Sequence, residues 1–473
     1  MSAIRCDLCV IGAGSGGLSV AAGAAQLGRK TVLIERGEMG GDCLNTGCVP
    51  SKALIAAARA AHVARHAEVF GIESAEPKID GRAVHDRIQA IIAAIAPNDS
   101  QARFESLGVT VIRASAHFLD PRTVRAGDAT VRARRFVIAT GSRPAVPPIP
   151  GLNEVPFFTN ETVFEKNFIP NHLAVVGGGP VGLELAQAHR RLGAAVTVIE
   201  AARILSREDE EAASAVAETM RREGVDFRER SQITAVRESE SGVTLQIVSP
   251  QGSDVLEASH LLIATGRVAN VEDLGLERAG VAFDKNGIVV DRKLKTTNRR
   301  VYAIGDVAGR GQFTHLAGHH AGLVVRNALF RLPVDANKSV VPRATFTDPE
   351  LAQAGLTEAE ARAAGKNISI ARFDFAHLDR AIVDGETEGF AKIVVGKGGR
   401  ILGATLVGAH AGELILPWVL AIERGLKLSA VAGAVAPYPT MGEISKRAAS
   451  AYYAPRLFAA APRLLVRVLS WFG

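Results

Sequence analysis

The feature that most constrains this chain is a pattern written twice. An apolar run, "CDLCVIGAG", leads into Gly12, Gly14 and Gly17, an Ala/Gly-rich segment follows, and a second apolar run, "KTVLIE", ends on Glu35. The same order returns in "HLAVVGGGPVGLELAQAHRRLGAAVTVIE", which carries Gly177, Gly179 and Gly182 and closes on Glu200. Strand, glycine turn, helix and acid-tipped strand together make a dinucleotide-binding unit. The first glycine forms the tight turn, the second lets backbone approach a pyrophosphate, and the third lets the helix pack on the strand. The helix N-terminus then faces the phosphates. Two such units predict two dinucleotide sites. Glu200 accepts hydrogen bonds from a free ribose 2′-hydroxyl and repels a 2′-phosphate, which favours NADH over NADPH at the second site; Arg203 close by pulls the other way.

The chain has 473 residues, too many for one core, and its 47% hydrophobic and 22% charged composition is ordinary for a globular protein. A net charge of +6 spread over this length, with no dominating basic block, suits phosphate-bearing ligands and gives no sign of nucleic-acid binding. No apolar run reaches the length of a transmembrane helix, and "MSAIRCDLCVIGAG" enters the first glycine turn with no leader pattern, so a cytoplasmic protein is expected. Two more strand ends match each other: "FVIATGSRP", with Thr140 and Gly141, and "LLIATGRVAN", with Gly266. "VYAIGDVAG" adds an apolar strand ending in Asp306, an acid placed to bind a sugar-like hydroxyl chain. From about residue 341 the texture changes to antiparallel strands with helices, an α+β domain.

The stretch "GGDCLNTGCVPSK" holds Cys43 and Cys48, two of the four cysteines. As a staple the pair closes a very small loop, which stabilises little and is opposed by a reducing compartment. As a metal site it lacks further ligands. The other thiols, Cys6 and Cys9, lie three apart on the first strand, where alternation sends them to opposite faces, and they read as core. A redox pair remains. The run after Val49 is helical, which puts both cysteines at or just before a helix N-terminus. There the helix dipole and Lys52 favour a thiolate.

These motifs, in this order and over nearly the whole chain, resemble the FAD-dependent pyridine nucleotide-disulfide oxidoreductases, a family that includes dihydrolipoamide dehydrogenase, glutathione reductase and mercuric reductase. The resemblance implies two Rossmann-like dinucleotide-binding domains and a C-terminal α+β dimerisation domain in a homodimer. It divides the chain into 1–148 (FAD), 149–271 (NAD(P)H), 272–340 (completion of the FAD domain), 341–454 (interface) and 455–473 (a basic tail). It implies FAD near Gly12, Gly14, Gly17, Glu35, Lys52, Thr140, Gly141, Asp306 and Thr314, and NAD(P)H near Gly177, Gly179, Gly182, Glu200 and Gly266. Cys48 becomes the thiol facing the flavin and Cys43 the thiol facing the substrate. Lys52 and Glu184 match a pair beside flavin and nicotinamide.

Two places depart from the pattern. Dithiol-using members carry His-Pro-Thr-x-x-Glu near the C-terminus, where the His, oriented by the Glu, moves protons for the outer cysteine across the dimer interface. Here "YPTMGE" keeps Pro439, Thr440 and Glu443 but holds Tyr438 in the His position. A phenol of pKa about 10 does not act as a base at neutral pH without a large shift. Mercuric reductases also hold a tyrosine there, but they add a C-terminal cysteine pair, and this sequence has no cysteine after Cys48. The expected acceptor is therefore a small one, a metal ion, quinone or disulfide, with dihydrolipoyl dehydrogenase activity as the alternative. His315, His319 and His320 read as helix-packing or solvent-facing residues. In the tail, Arg456, Arg463 and Arg467 are spaced to share one face of a helix, with Leu464, Leu465, Val468, Leu469 and Phe472 largely elsewhere. Such a segment lies on an anionic membrane, grips an electron-transfer or sensing partner, or packs on its own dimer.

Overall fold

The computed structural model describes residues 3–472. Its first sheet has seven strands. Val109–Arg113, Thr31–Glu35, Ile4–Ile11 and Ala129–Ile138 run parallel, and the antiparallel strands Thr123–Ala126 and Ala116–Asp120 extend the edge. Val301–Ala303 arrives late in the chain and pairs in parallel with Phe136–Ile138, completing this sheet. One face of the sheet is covered by helices and the other by the edge strands Ala116–Asp120 and Thr123–Ala126 with the segment around residues 274–288, so the C-terminal halves of the central strands are buried on both sides. Ser15–Gln26 packs on one face against Thr314–Phe330 through Val20, Ala21, Ala24, Ala321 and Val324.

The second unit is a four-stranded parallel sheet in the order Val225–Glu229, Ala195–Glu200, His172–Val176, His260–Ile263, with a three-stranded antiparallel sheet spanning residues 232–258 beside it. Its first helix, Pro180–Arg191, packs against the helix Cys48–Arg65 of the first unit. Ala53, Ala58 and Ala61 on one side and Leu183 and Ala186 on the other keep that crossing close. The C-terminal region forms a five-stranded antiparallel sheet in the order Arg343–Thr345, Glu350–Gly355, Ile401–Gly408, Phe390–Val395, Ser369–Asp374, with helices packed on it. The α/β class with a third α+β layer is thus present as expected.

Two local readings are corrected. Cys6 and Cys9 are both buried, but in the same apolar cluster rather than on opposite faces. The amides of Asp7 and Leu8 both donate to the Lys30 carbonyl, at 2.8 and 3.3 Å, a bulge-like pattern that shifts the alternation by one residue. The tail is not one helix. Glu443–Leu457 ends, Ala459 is extended, and a separate helix runs Ala460–Leu469. Pro462 lacks an amide and its ring would clash with the Phe458 carbonyl in a continuous helix. Arg456 is therefore detached from the face that Arg463 and Arg467 share.

Candidate active site

The two glycine turns fold alike. A side chain on Gly12 (φ +103°) would meet the Ala139 carbonyl at 2.4 Å, and one on Gly17 the Gly12 carbonyl at 1.8 Å. In the second unit Gly177 (φ +113°) meets the Ala264 carbonyl at 2.4 Å and Gly182 the Gly177 carbonyl at 2.0 Å. Gly14 and Gly179 have nothing within 4 Å, and each N-caps a helix that no side chain caps. Free first-turn amides over open space form a cradle that fits a pyrophosphate. Glu35 accepts from the amides of Ala13 (2.5 Å) and Gly37 (2.7 Å), and Glu200 from those of Gly178 (2.7 Å) and Ala202 (2.8 Å). Each carboxylate is thus fixed at its strand end with lone pairs still free for hydroxyl groups. Arg203 Nη1 lies 2.9 Å from Glu210 Oε1, an ion contact without hydrogen-bond geometry.

The two "ATG" stretches do more than end strands. They are the crossings between the units, and they are laced together. Ser142–Pro144 pairs antiparallel with Arg267–Ala269, next to Gly141 and Gly266. The Thr140 hydroxyl donates to the Asn270 carbonyl at 2.8 Å, and Asn270 Nδ2 returns a bond to the Thr140 carbonyl at 2.9 Å. Thr265 does the same service for Ala145, at 2.8 Å. Asp306, at the end of the late strand, accepts from the Ser142 hydroxyl at 2.5 Å, and burial raises its carboxyl above the usual range.

The cysteines sit between these turns. Cys43 lies on the short helix Gly41–Asn45, and Cys48 is the first residue of Cys48–Arg65, so the amides of a helix start surround it. The double glycine before them is needed for a close approach: a side chain on Gly41 (φ +61°) would meet Gly14 Cα at 2.8 Å, and Gly40 donates to the Ala13 carbonyl at 3.0 Å. The redox stretch therefore rests against the first glycine turn. Both cysteines are free thiols. Cys43 is pushed up, first by hydrogen bonding to Cys48 and then by burial. Cys48 is lowered to about 6, chiefly because it accepts that bond; Thr314 and the charge of Lys52 help, while burial and Asp42 oppose. Cys48 Sγ lies 3.4 Å from Thr314 Oγ1 at the start of Thr314–Phe330. Lys52 Nζ bonds Glu184 Oε2 at 2.7 Å and lies 4.5 Å from the centre of the Phe346 ring. The buried Glu184 also accepts from the Phe346 amide at 2.9 Å.

While Gly17 and Gly182 pack beneath their turns, Gly12, Gly14, Gly177 and Gly179, the acids Glu35 and Glu200, both cysteines, Lys52, Glu184, Thr140, Gly141, Gly266, Asp306 and Thr314 line one cleft of about 1960 Å³. That is about twice the volume of an ordinary single-ligand pocket, which suits two dinucleotides meeting end to end. Tyr438 and Glu443 do not line it. Tyr438 is exposed on the C-terminal region, and hydrogen bonding to Asp379 raises its phenol further from neutrality. Glu443 is buried, with one oxygen 3.7 Å from Arg447 and the other unpartnered. Of the three histidines, His315 lines the cleft beside Thr314 and bonds the Pro342 carbonyl (2.9 Å), His319 bonds the Ser339 hydroxyl (2.6 Å), and buried His320 accepts from the Gly305 amide (3.4 Å), its pKa lowered to about 4 by burial.

One group of residues has no signal in the sequence. Arg267 donates through Nε to the Ser142 hydroxyl (2.7 Å) and through Nη2 to the Ser142 carbonyl (2.9 Å), and lies 3.2 Å from Asp42. Asn160 joins it, donating to Asp42 (3.1 Å) and to the Thr46 carbonyl (3.2 Å). The loop between the cysteines is thereby pinned from the side of the inter-unit crossing.

Residues 6–321 match the family model described as pyridine nucleotide-disulphide oxidoreductase, and residues 341–449 match that family's dimerisation domain. The chain belongs to this family. A mercuric reductase of Streptomyces lividans is 38% identical over 94% of this chain and 96% of that protein. A dihydrolipoyl dehydrogenase of Geobacillus stearothermophilus is 33% identical over 94% and 96%. The solved Cu(II) complex of the HOCl-induced flavoprotein disulfide reductase RclA from Escherichia coli aligns with a TM-score of 0.84 at 28% identity, covering 93% of this chain and 98% of that one. Members of this oxidoreductase family depend on FAD and a pyridine nucleotide, and the dimerisation domain supports a homodimer. Among the described residues no helix is long and apolar enough to cross a membrane.

Proposed function

We propose that this oxidoreductase passes electrons from NADH to a Cys43–Cys48 disulfide and from the resulting dithiol to a small acceptor, with a thiophilic metal ion as the favoured class and quinones or small disulfides as others. FAD bound against Gly14 and Glu35 would supply the two-electron exchange between nicotinamide and thiols. NADH would lie against Gly179 with its ribose at Glu200.

The observation that carries this reading is the protonation pattern of the pair together with a phenol, Tyr438, at the position of the family's base. Closing the dithiol gives two electrons to the acceptor and forms the S–S bond. Cys48 is already a thiolate above a pH of about 6, so only the proton of Cys43 must leave. A dithiol substrate exchanges by thiolate attack and needs a base to manage its protons. A thiophilic metal ion displaces the Cys43 proton on coordination and needs none. Tyr438, which stands where dithiol-using members carry the base and is held protonated beside Asp379, suits the second case. The mercuric reductase relatives and the Cu(II) bound by the RclA structure point the same way.

The second reading, dihydrolipoyl dehydrogenase, rests on the 33% identical relative. One experiment separates the two. The purified holoenzyme is assayed anaerobically with NADH against Hg(II), Cu(II), a benzoquinone and lipoamide. The proposal expects turnover with metal ion or quinone and little with lipoamide, rising when Tyr438→His restores an imidazole. Lipoamide turnover matching the best acceptor in the unmodified protein overturns it.

A further inference from the structure

The helix Ala460–Leu469 lies outside everything described so far. The family's dimerisation model stops at residue 449. No residue of this helix is buried, and it is strongly two-sided. At about 100° per residue, Arg463 and Arg467 fall about 40° apart, while Leu464, Val468, Leu465 and Leu469 fill an arc of about 140° roughly opposite. Leu464, Leu465 and Leu469 are 61, 58 and 57% exposed, and Trp471 and Phe472, just past the helix, 76 and 83%. From Ile444 onward the sequence holds Lys446, Arg447, Arg456, Arg463 and Arg467 and no acid.

An apolar face this open needs an occupant, and charge selects among the candidates. A protein interface core is depleted in charge, and a partner would have to match the arginines bordering the apolar arc with carboxylates. An anionic lipid surface meets both needs at once: acyl chains take the leucines, headgroup phosphates take the arginines, and Trp471 fits the polar–apolar boundary. The helix is about 15 Å long and lies in the plane of a bilayer rather than across it. The break at Phe458–Ala459 sets this helix off from Glu443–Leu457 as a separate element. We infer that residues 460–472 form a peripheral docking helix for anionic phospholipid, holding the reductase at a membrane surface.

The test uses the full-length holoenzyme and sedimentation with vesicles of phosphatidylcholine alone or with about 30% phosphatidylglycerol, at ~0.1 and ~1 M salt, with flavin absorbance as readout. The inference expects binding at least roughly ten-fold tighter to the anionic vesicles, weakened by salt. Arg463→Glu with Arg467→Glu should lower it by roughly ten-fold or more. Leu465→Glu should abolish it, and NADH-driven flavin reduction should be unchanged in all variants. Equal binding to both vesicle types, or to neither, overturns the inference. So does loss of the dimer by light scattering in a chain ending at Phe458, since that would assign the helix to a second copy.

Discussion

Lys52 Nζ and Glu184 Oε2 lie 2.7 Å apart, an ion pair that joins the cysteine helix to the first helix of the second unit inside the shared cleft. Each member has a second tie: Lys52 lies over the Phe346 ring, and Glu184 accepts from the Phe346 amide. One charge therefore reports to Cys48 while the other is anchored to the C-terminal layer.

The two halves of this pair separate by mutation. Lys52→Met removes a charge that favours the Cys48 thiolate, so the thiolate midpoint rises from about 6 toward that of an ordinary thiol. Glu184→Gln keeps an acceptor for the Phe346 amide and leaves Lys52 charged, so the midpoint does not rise. Both variants slow anaerobic flavin reduction by NADH by roughly ten-fold or more, because both disturb fixed charge beside the reacting groups. Ultraviolet thiolate absorbance against pH, with stopped-flow reduction, checks both statements.

The low midpoint of Cys48 depends first on its neighbour. Cys43→Ser retains a hydroxyl donor and keeps the Cys48 midpoint low. Cys43→Ala removes the largest stabilising contact and raises it. Thr314→Val raises it by less. The sign is fixed by what is hydrogen-bonded: donors to the anion lower a thiol's pKa, so their loss can only raise it. Alkylation of Cys48, read by mass apart from the other cysteines and followed from about pH 5 to 9, gives the midpoints as rate profiles. A Cys43→Ala midpoint no higher than that of Cys43→Ser would remove the contact from the account.

What could be read from the sequence was what is local. Turn, helix and acid of each glycine motif fall within one short segment, and so do the two cysteines, so the α/β class and the redox stretch were visible in spacing alone. What could not be read is what distance in the chain conceals. Arg267 and Ser142 are 125 residues apart and Asn160 and Asp42 are 118, and no periodicity links them. The lacing of the two crossings, the carbonyls of Ala139 and Ala264 against Gly12 and Gly177, and the doubled amides at Lys30 likewise come from chain segments meeting in space. The break at Phe458 was only partly legible: Pro462 disfavours a continuous helix, yet Pro455 is accommodated inside Glu443–Leu457.

At the second unit, Glu200 is expected to set the nicotinamide preference. Its carboxylate is held by the amides of Gly178 and Ala202 and cannot swing away from a 2′-phosphate, while Arg203 is engaged with Glu210. A like charge at that place disfavours NADPH by several kcal/mol before relaxation, so kcat/KM should favour NADH by at least roughly ten-fold. Glu200→Gln should shrink that ratio mainly by improving NADPH. Steady-state assays with both nucleotides decide it, and an unmodified enzyme that prefers NADPH would reassign the site to Arg203.

The Arg267 network makes a prediction about the redox loop that its chemistry alone would not. The guanidinium reaches Ser142 and Asp42 at once, and Ser142 in turn holds Asp306. Lysine carries the same charge but offers a point donor in place of a planar fork, so it cannot keep both ends. Arg267→Lys should raise amide hydrogen exchange across residues 42–47 and weaken flavin retention, the first through Asp42 and the second through Ser142 and Asp306. Asn160→Ala should raise exchange in the same loop with less loosening of the flavin, since Asn160 bonds Asp42 and Thr46 directly and reaches Asp306 only through one long bond accepted from Arg267 (3.4 Å). If both variants lose flavin equally, the crossing acts as one rigid block and the two branches are not separable; if neither alters exchange, the short helix Gly41–Asn45 and the helix start at Cys48 hold the loop by themselves.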